Sequence, residues 1–289
     1  MQNIPLRIIT FNFVPFAYNI VTKWIHESGN KHLLTVTTPG PLSRPTPQYK
    51  GIIENAQRDV GILVSTKLKT VVTPVVRALE PDLIVCFSFP YRITPELCAI
   101  PKYGAVNLHP AVLPKHRGPN AMRAIYDGSH EFGATAHWLA EDYDTGNILS
   151  QSSSPLPNEV TEKSLFSMWG PMLSDTLAKG LEKAIAGDTG IPQDDQQASY
   201  AAPFTEEEKW LSLKESRRVL ERKVTALSFG GRGNAKLVLD GNHYSILSLE
   251  VMASDKSEAM PGECLDRDSE FITVQAGDGP LRLQVESLS

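Results

Sequence analysis

Cysteine is scarce in this chain of 289 residues: there are three, Cys86, Cys98 and Cys264. An odd number without metal-ligand spacing argues against a disulfide scaffold and against a zinc site, and for a reduced, intracellular setting. A basic excess is missing as well. The formal net charge is -5, with 17 basic against 18 acidic residues up to position 205 and 11 against 15 after it. A protein that grips nucleic acid through its phosphates normally carries the opposite balance. No apolar run approaches the length of a membrane span, and the apolar start around Ile8 is too short for a signal peptide, so no membrane partner and a cytoplasmic location are expected. Glycine fingerprints are absent too. There is no GxGxxG, no P-loop and no Gly-x-Ser-x-Gly around Ser88, which leaves a dinucleotide site, a nucleotide cradle and a serine elbow without support.

What is present is enough apolar residue, 41%, to build a core. Short apolar runs at 6–11, 33–37, 61–65, 83–89 and 104–109 alternate with helical patterns at 15–27, 51–59 and 71–81. The runs are continuous rather than alternating, as in strands covered on both faces, which predicts an α/β domain with a doubly wound, mostly parallel sheet. Two further strands are expected at 133–141 and 147–156, then a long helix over 161–186 with Thr161 as its cap and Gly187 at its end. Residues 188–208 lose all periodicity. Beyond them the rhythm changes to one short helix and several short strands, separated by turns at Gly230-Gly231, Asp240-Gly241 and Asp278-Gly279. That rhythm predicts a small, barrel-like β domain. The expected division is a first domain over 1–190, a linker over 191–207 and a β domain over 208–289.

The polar residues gather in one place. Asn107 and His109 are two apart on a predicted strand, so they share a face. They stand at the strand end, where open α/β sheets bind ligands. Pro110, Pro114 and Gly118 then shape a loop, and Asp144 sits in the turn between the next two strands. An amide and an imidazole aimed at one carbonyl can stabilise the oxyanion that forms on nucleophilic attack. A carboxylate beside the imidazole orients the ring, favours its charged form and can assist a proton transfer. The same three residues read equally as a strand cap, an interior histidine and an Asx turn. His116 and Arg117 read as a basic loop facing an anionic substrate, or as a solvated face. His137 reads more readily as a core histidine than as a site residue. Phe89 and Tyr91 after the fourth strand, and Phe11 to Phe13 after the first, offer aromatic walls or ordinary packing.

Asn107-Leu108-His109-Pro110, Leu113-Pro114, Arg117-Gly118 and Asp144-Thr145-Gly146 together resemble the signature of the formyltransferases that use 10-formyltetrahydrofolate. The resemblance spans about residues 5–186. Residues 208–289 resemble the smaller C-terminal domain of the tRNA-directed members, with Pro261-Gly262 and Gly279 to Leu283 in matching places. It implies a Rossmann-like first domain and an OB-like second one. It implies that Asn107 and His109 polarise the formyl oxygen while Asp144 handles the proton. It implies 10-formyltetrahydrofolate as co-substrate without a metal. The pterin would lie along Phe89, Pro90, Tyr91 and Ile93, its edge near Leu139, Ala140, Glu141 and Asp142. The amine would enter by Phe11, Asn12, Phe13, Pro110 and Arg117.

Departures from the family pattern bear on the acceptor. The first strand runs into Asn12-Phe13-Val14-Pro15 where tRNA-directed members carry a Gly-Thr-Pro-like turn. The segment 39–51 has only Arg44 and Lys50 where those members are strongly basic, and the C-terminal part is acidic. These point to the primary amine of a small molecule, such as an amino sugar or a specialised metabolite. Methionyl-tRNA, hydrolysis of the donor, and folate binding without catalysis are the alternatives. Oligomeric state has no signature in the sequence.

Overall fold

The computed structural model describes residues 4–40, 46–230, 234–253 and 258–288. Arg44 and Gly231, named above, lie outside the described residues. Strand β1 (Arg7–Asn12) leads into α1 (Pro15–Glu27), β2 (Lys31–Thr37), α2 (Gln48–Asn55) and β3 (Gly61–Val64). A π-helical turn (Leu68–Val72) runs into α3 (Thr73–Leu79), followed by β4 (Leu83–Phe87), the short α4 (Pro95–Cys98), β5 (Ala105–His109) and α5 (Arg123–Asp127). Then come β6 (Glu131–Trp138), β7 (Ile148–Pro155) and the long α6 (Glu162–Ile185). The remainder holds α7 (Glu206–Lys209), α8 (Arg217–Ser228), β8 (Lys236–Leu239), β9 (Asn242–Val251), β10 (Cys264–Arg267), β11 (Phe271–Ala276) and β12 (Gly279–Ser287). No helix among the described residues is long and apolar enough to cross a membrane.

Local chemistry explains the boundaries. Pro15 opens α1, where a missing N–H costs nothing, and the helix buries Ala17, Val21 and Ile25 along one stripe. Gly29 lies just beyond its end at φ 68°. The Thr161 hydroxyl accepts from Ser164 N (3.1 Å) at the head of α6, and Gly187 follows its end at φ 81°. Asp240 and Gly241, both at positive φ, form the two-residue turn between β8 and β9.

The first sheet has the order β3-β2-β1-β4-β5-β6-β7. Strands β1 to β5 pair in parallel, and β6 runs antiparallel to β5. The chain winds outward from β1 to β3 and returns to β4 on the other side of β1. That reversal opens a crevice at the carboxyl ends of β1 and β4, where ligands of such sheets bind. Every residue of β4 and β5 is buried. One apolar cluster joins Ile9, Phe11, Val36, Val72, Val76, Ile84 and Cys86. The second sheet, β10-β11-β12-β9-β8, is antiparallel throughout. The architecture is a Rossmann-like sheet and a curled OB-like half-barrel, the doubly wound sheet and small β domain that the sequence rhythm predicts.

By spatial contacts the chain forms two compact units that interleave along the sequence. The first takes residues 1–119, 133–153 and 169–200, the second 120–132, 154–168 and 201–289. Residues 191–200, expected as part of a linker, fall within the first unit.

Candidate active site

Asn107 and His109 stand on the same face of β5, 9% and 5% exposed. Both are held at the strand end, beyond which Pro110 turns the chain. The antiparallel register of β6 sets His137 opposite Asn107. Asp144 reaches the pair from the turn between β6 and β7. Its backbone lies at φ 57°, a left-handed conformation that aspartate tolerates better than most residues. Gly146 closes that turn against β6: a Cβ there would stand 1.8 Å from the Trp138 carbonyl oxygen. The spacing Asp-x-Gly therefore reflects two backbone requirements as well as one carboxylate.

The four side chains form a connected group. Asp144 Oδ2 accepts from the Gly118 N–H at 2.8 Å and lies 3.5 Å from His109 Nδ1. Asp144 Oδ1 accepts from Asn107 Nδ2 at 3.2 Å and lies 3.4 Å from His137 Nε2. Asn107 Nδ2 is 3.1 Å from the same His137 nitrogen. His109 Nε2 donates to the His116 carbonyl (2.8 Å), and His137 Nδ1 donates to the Trp138 carbonyl (2.8 Å). Those two carbonyls fix the resting tautomers, leaving Nδ1 of His109 to face the carboxylate.

Electrostatics follow from this packing. Burial pushes the His109 pKa below the usual histidine value, against the opposing pull of Asp144. Burial acts on Asp144 in the sense of raising its pKa, but the neighbouring imidazoles and the Gly118 N–H outweigh it and hold the carboxyl well below the usual range. The resting site thus contains a buried carboxylate beside a neutral imidazole that gains a proton most readily on the nitrogen facing it. Among the described residues, no three His, Cys, Asp or Glu side chains are grouped to hold a metal ion.

Residues 45–168 match the family model described as formyl transferase, and residues 203–288 match the formyl transferase C-terminal domain. The methionyl-tRNA formyltransferase of Borrelia hermsii is 30% identical over 233 residues, covering 80% of this chain and 75% of the relative. The chain belongs to the formyltransferase family. It is an enzyme of that family, and solved structures share its fold. HypX from Aquifex aeolicus, crystallised with tetrahydrofolic acid, is similar over 96% of this chain with TM-score 0.66 and 19% identity, although the formyltransferase chain spans only 43% of HypX. The N-formyltransferase from Helicobacter canadensis, in complex with folinic acid and dTDP-3-aminofucose, matches over 98% of this chain and 100% of its own, with TM-score 0.66 and 14% identity.

In this formyltransferase the other candidate residues differ in exposure and in partners. Phe89, Tyr91, Ile93 and Leu139 pack on one apolar cluster together with Phe11. Phe11 meets Phe89 edge-on at 5.3 Å, and Phe89 meets Tyr91 at 6.0 Å. Phe11 is fully buried, so it backs this wall and presents no surface of its own. Pro90 is exposed after it, and Phe13, Pro110 and Ala140 are half-buried. Asn12 is buried, with its amide donating to the Phe87 carbonyl at 3.0 Å, a bond that ties the ends of β1 and β4. Glu141 and Asp142 are exposed and lie 3.5 and 3.8 Å from Arg92. The Arg117 guanidinium is committed to Gln193 and Asp195.

His137 and Gln193 join this network although neither stands out in the sequence. The signal for His137 was the β5–β6 pairing, which sets it opposite Asn107. Gln193 lies in a polar stretch with no periodicity, and nothing local in the sequence marks it.

Proposed function

We infer that this enzyme transfers the formyl group of 10-formyltetrahydrofolate to the primary amine of a small molecule, of which an amino sugar is the leading class. The observation that carries the chemistry is the buried Asn107–His109–Asp144 group at the carboxyl edge of the sheet. The observation that supports the donor is the apolar wall of Phe89, Tyr91 and Leu139, half-buried over the cluster that holds Ile93. A flat heteroaromatic ring suits such a wall, and residues 140–144 supply irregular backbone for its polar edge. Structures of similar fold hold tetrahydrofolic acid, or folinic acid with dTDP-3-aminofucose.

The donor supplies an activated formyl carbon; the chain supplies the polar groups around it. Asn107 has one N–H to spare. Its Nδ2 lies 3.1 Å from His137 Nε2 and 3.2 Å from Asp144 Oδ1, which are 3.4 Å apart. The two acceptors therefore subtend about 65° at the amide nitrogen, while its two N–H bonds diverge by about 120°. One hydrogen shared between the pair leaves the other for the formyl oxygen. His109 takes a proton on Nδ1, where Asp144 stabilises it. Its Nε2–H, now on the His116 carbonyl, is the second donor for which the formyl oxygen competes. Two donors on the oxygen where charge develops lower the barrier to amine attack; Asp144 relays the proton that the amine sheds to the N10 nitrogen as the C–N10 bond breaks and tetrahydrofolate leaves.

Replacing either donor tests this assignment. Asn107→Ala and His109→Ala should each lower kcat by about 10²–10³-fold, or roughly 3–4 kcal/mol, with unchanged far-UV dichroism. Turnover within threefold of the wild type, at saturating acceptor, sinks the assignment.

A second reading is supported by the 30% identity to the Borrelia hermsii methionyl-tRNA formyltransferase. The acidic balance of residues after 205 and the thin basic content of 39–51 weigh against it, since a tRNA-binding surface depends on many phosphate contacts.

A further inference from the structure

Residues 191–200 read as featureless in the sequence, yet within the first unit they bind to both loops of the site. Arg117 N donates to the Ser199 carbonyl at 2.9 Å, and His116 N donates to Ser199 Oγ at 2.9 Å. Ile148 and Ile191 exchange two backbone bonds of 2.8 Å. Between these anchors sits Gln193, and its amide is fully used. Nε2 donates to the carbonyls of Asp144 (2.8 Å) and Gly146 (2.7 Å). Oε1 accepts from Nε and Nη2 of Arg117 at 3.0 and 2.8 Å. Arg117 Nη2 is held in turn by Asp195 Oδ1 at 2.8 Å.

The pattern is specific to an amide. The turn presents two carbonyls and needs donors; Arg117 presents two donors and needs an acceptor. Only a carboxamide offers both at one end, and the fork of Arg117 decides which end faces the turn. The turn itself needs support, because Asp144 sits in the left-handed region at φ 57°. Its carboxylate must meet His109 Nδ1 and the Gly118 N–H at once. Carbonyls clamped on either side of Thr145 leave that carboxylate little freedom to swing away.

We propose that Gln193 is a positioning residue: it clamps the Asp144–Gly146 turn to the Arg117 loop and so keeps the Asp144 carboxylate against His109. This rests on the reading that Asp144 supports the His109 imidazolium. The groups that act on His109 are Asp144, His137 and the His116 carbonyl; Gln193 bonds the turn that carries the first directly, while the His116 backbone is anchored separately by Ser199 Oγ.

The test follows His109 by imidazole nitrogen NMR in the ligand-free, full-length protein, in the wild type, Gln193→Met, Gln193→Asn and Asp144→Asn. Gln193→Met keeps the length and removes every polar contact. Gln193→Asn keeps the amide one methylene too short to span Arg117 and the turn. Both should lower the His109 midpoint by about half a pH unit or more, and Asp144→Asn should lower it further. In turnover, kcat should fall by roughly 10- to 100-fold with KM changed far less, as expected of a displaced catalytic group. A purely structural glutamine would change the denaturation midpoint and leave the His109 titration in place. If Asp144→Asn moves the midpoint and neither Gln193 variant does, the positioning role is overturned while the site assignment stands. If Asp144→Asn itself leaves the midpoint unmoved, the Asp144–His109 pairing fails and the positioning role fails with it.

Discussion

At the scale of single residues, the site is governed by what each group can donate or accept in a nearly dry place. Asn107 and His109 were legible in the sequence because an amide and an imidazole two apart on an apolar strand require partners. The partner set was less legible. His137 enters through the register of β6, a long-range pairing that no local pattern reveals. Gly146 shows how sharply the backbone is constrained. The Cβ of Gly146→Ala would collide with the Trp138 carbonyl, a backbone atom that cannot rotate away. Overpacking of this kind costs about 1–3 kcal/mol, and relief must come from movement of the turn that carries Asp144. Gly146→Ala should therefore lower both the urea midpoint and kcat. A variant with wild-type stability and turnover would show that the turn can relax without moving the carboxylate.

At the scale of elements, the chain's punctuation was read well where side chains dictate ends. Pro15 and Glu27 bound α1 as expected, and Thr161 and Gly187 bracket α6. The failures have physical reasons. The helix expected at 71–81 begins earlier, as a π-helical turn over Leu68–Val72, because the apolar stripe of Leu68, Val72, Val76 and Leu79 starts one turn before Val71, while Val71 and Val75 face outward. β10 was missed because Cys264–Arg267 is an edge strand with little apolar alternation. The stretch 191–200 reads as a linker in the sequence because its order comes from distant carbonyls and Arg117.

The β1–β2 pair carries a testable consequence of burial. His32 Nε2 lies 3.1 Å from both Thr10 Oγ1 and Thr35 Oγ1, and burial lowers its pKa from 6.5 to about 4. A histidine with a depressed folded pKa contributes stability that is complete above its unfolded value of 6.5. That stability falls as the pH drops from 6.5 toward 4, because the unfolded chain takes up the proton first. The shift corresponds to a loss on the order of 3 kcal/mol over that window. His32→Gln keeps a group able to bond both hydroxyls and removes the proton uptake. Urea titrations at pH 7.5 and 4.5 should show a smaller acid loss in His32→Gln than in the wild type. Equal losses would place the proton uptake elsewhere.

At the scale of the whole molecule, two compact units and a mildly acidic chain pose the question of the acceptor. The alternation of strands and helices, followed by short strands, was enough to anticipate a doubly wound sheet and a small barrel-like β domain, and the family resemblance implied their Rossmann-like and OB-like forms. The interleaving of the units was not legible, since residues 120–132 and 154–168 join the second unit through contacts distant in sequence. Charge is a property of the whole chain, and its mild acidic excess is one ground on which the small-amine acceptor is proposed. The deciding measurement presents 10-formyltetrahydrofolate carrying a labelled formyl group, together with either a panel of nucleotide-linked amino sugars or charged initiator tRNA, to the wild type and to His109→Ala. Labelled N-formyl product is expected on a small amine, with its loss in His109→Ala and no label on the tRNA. Label found only on methionyl-tRNA, or released only as formate, would contradict the proposed function.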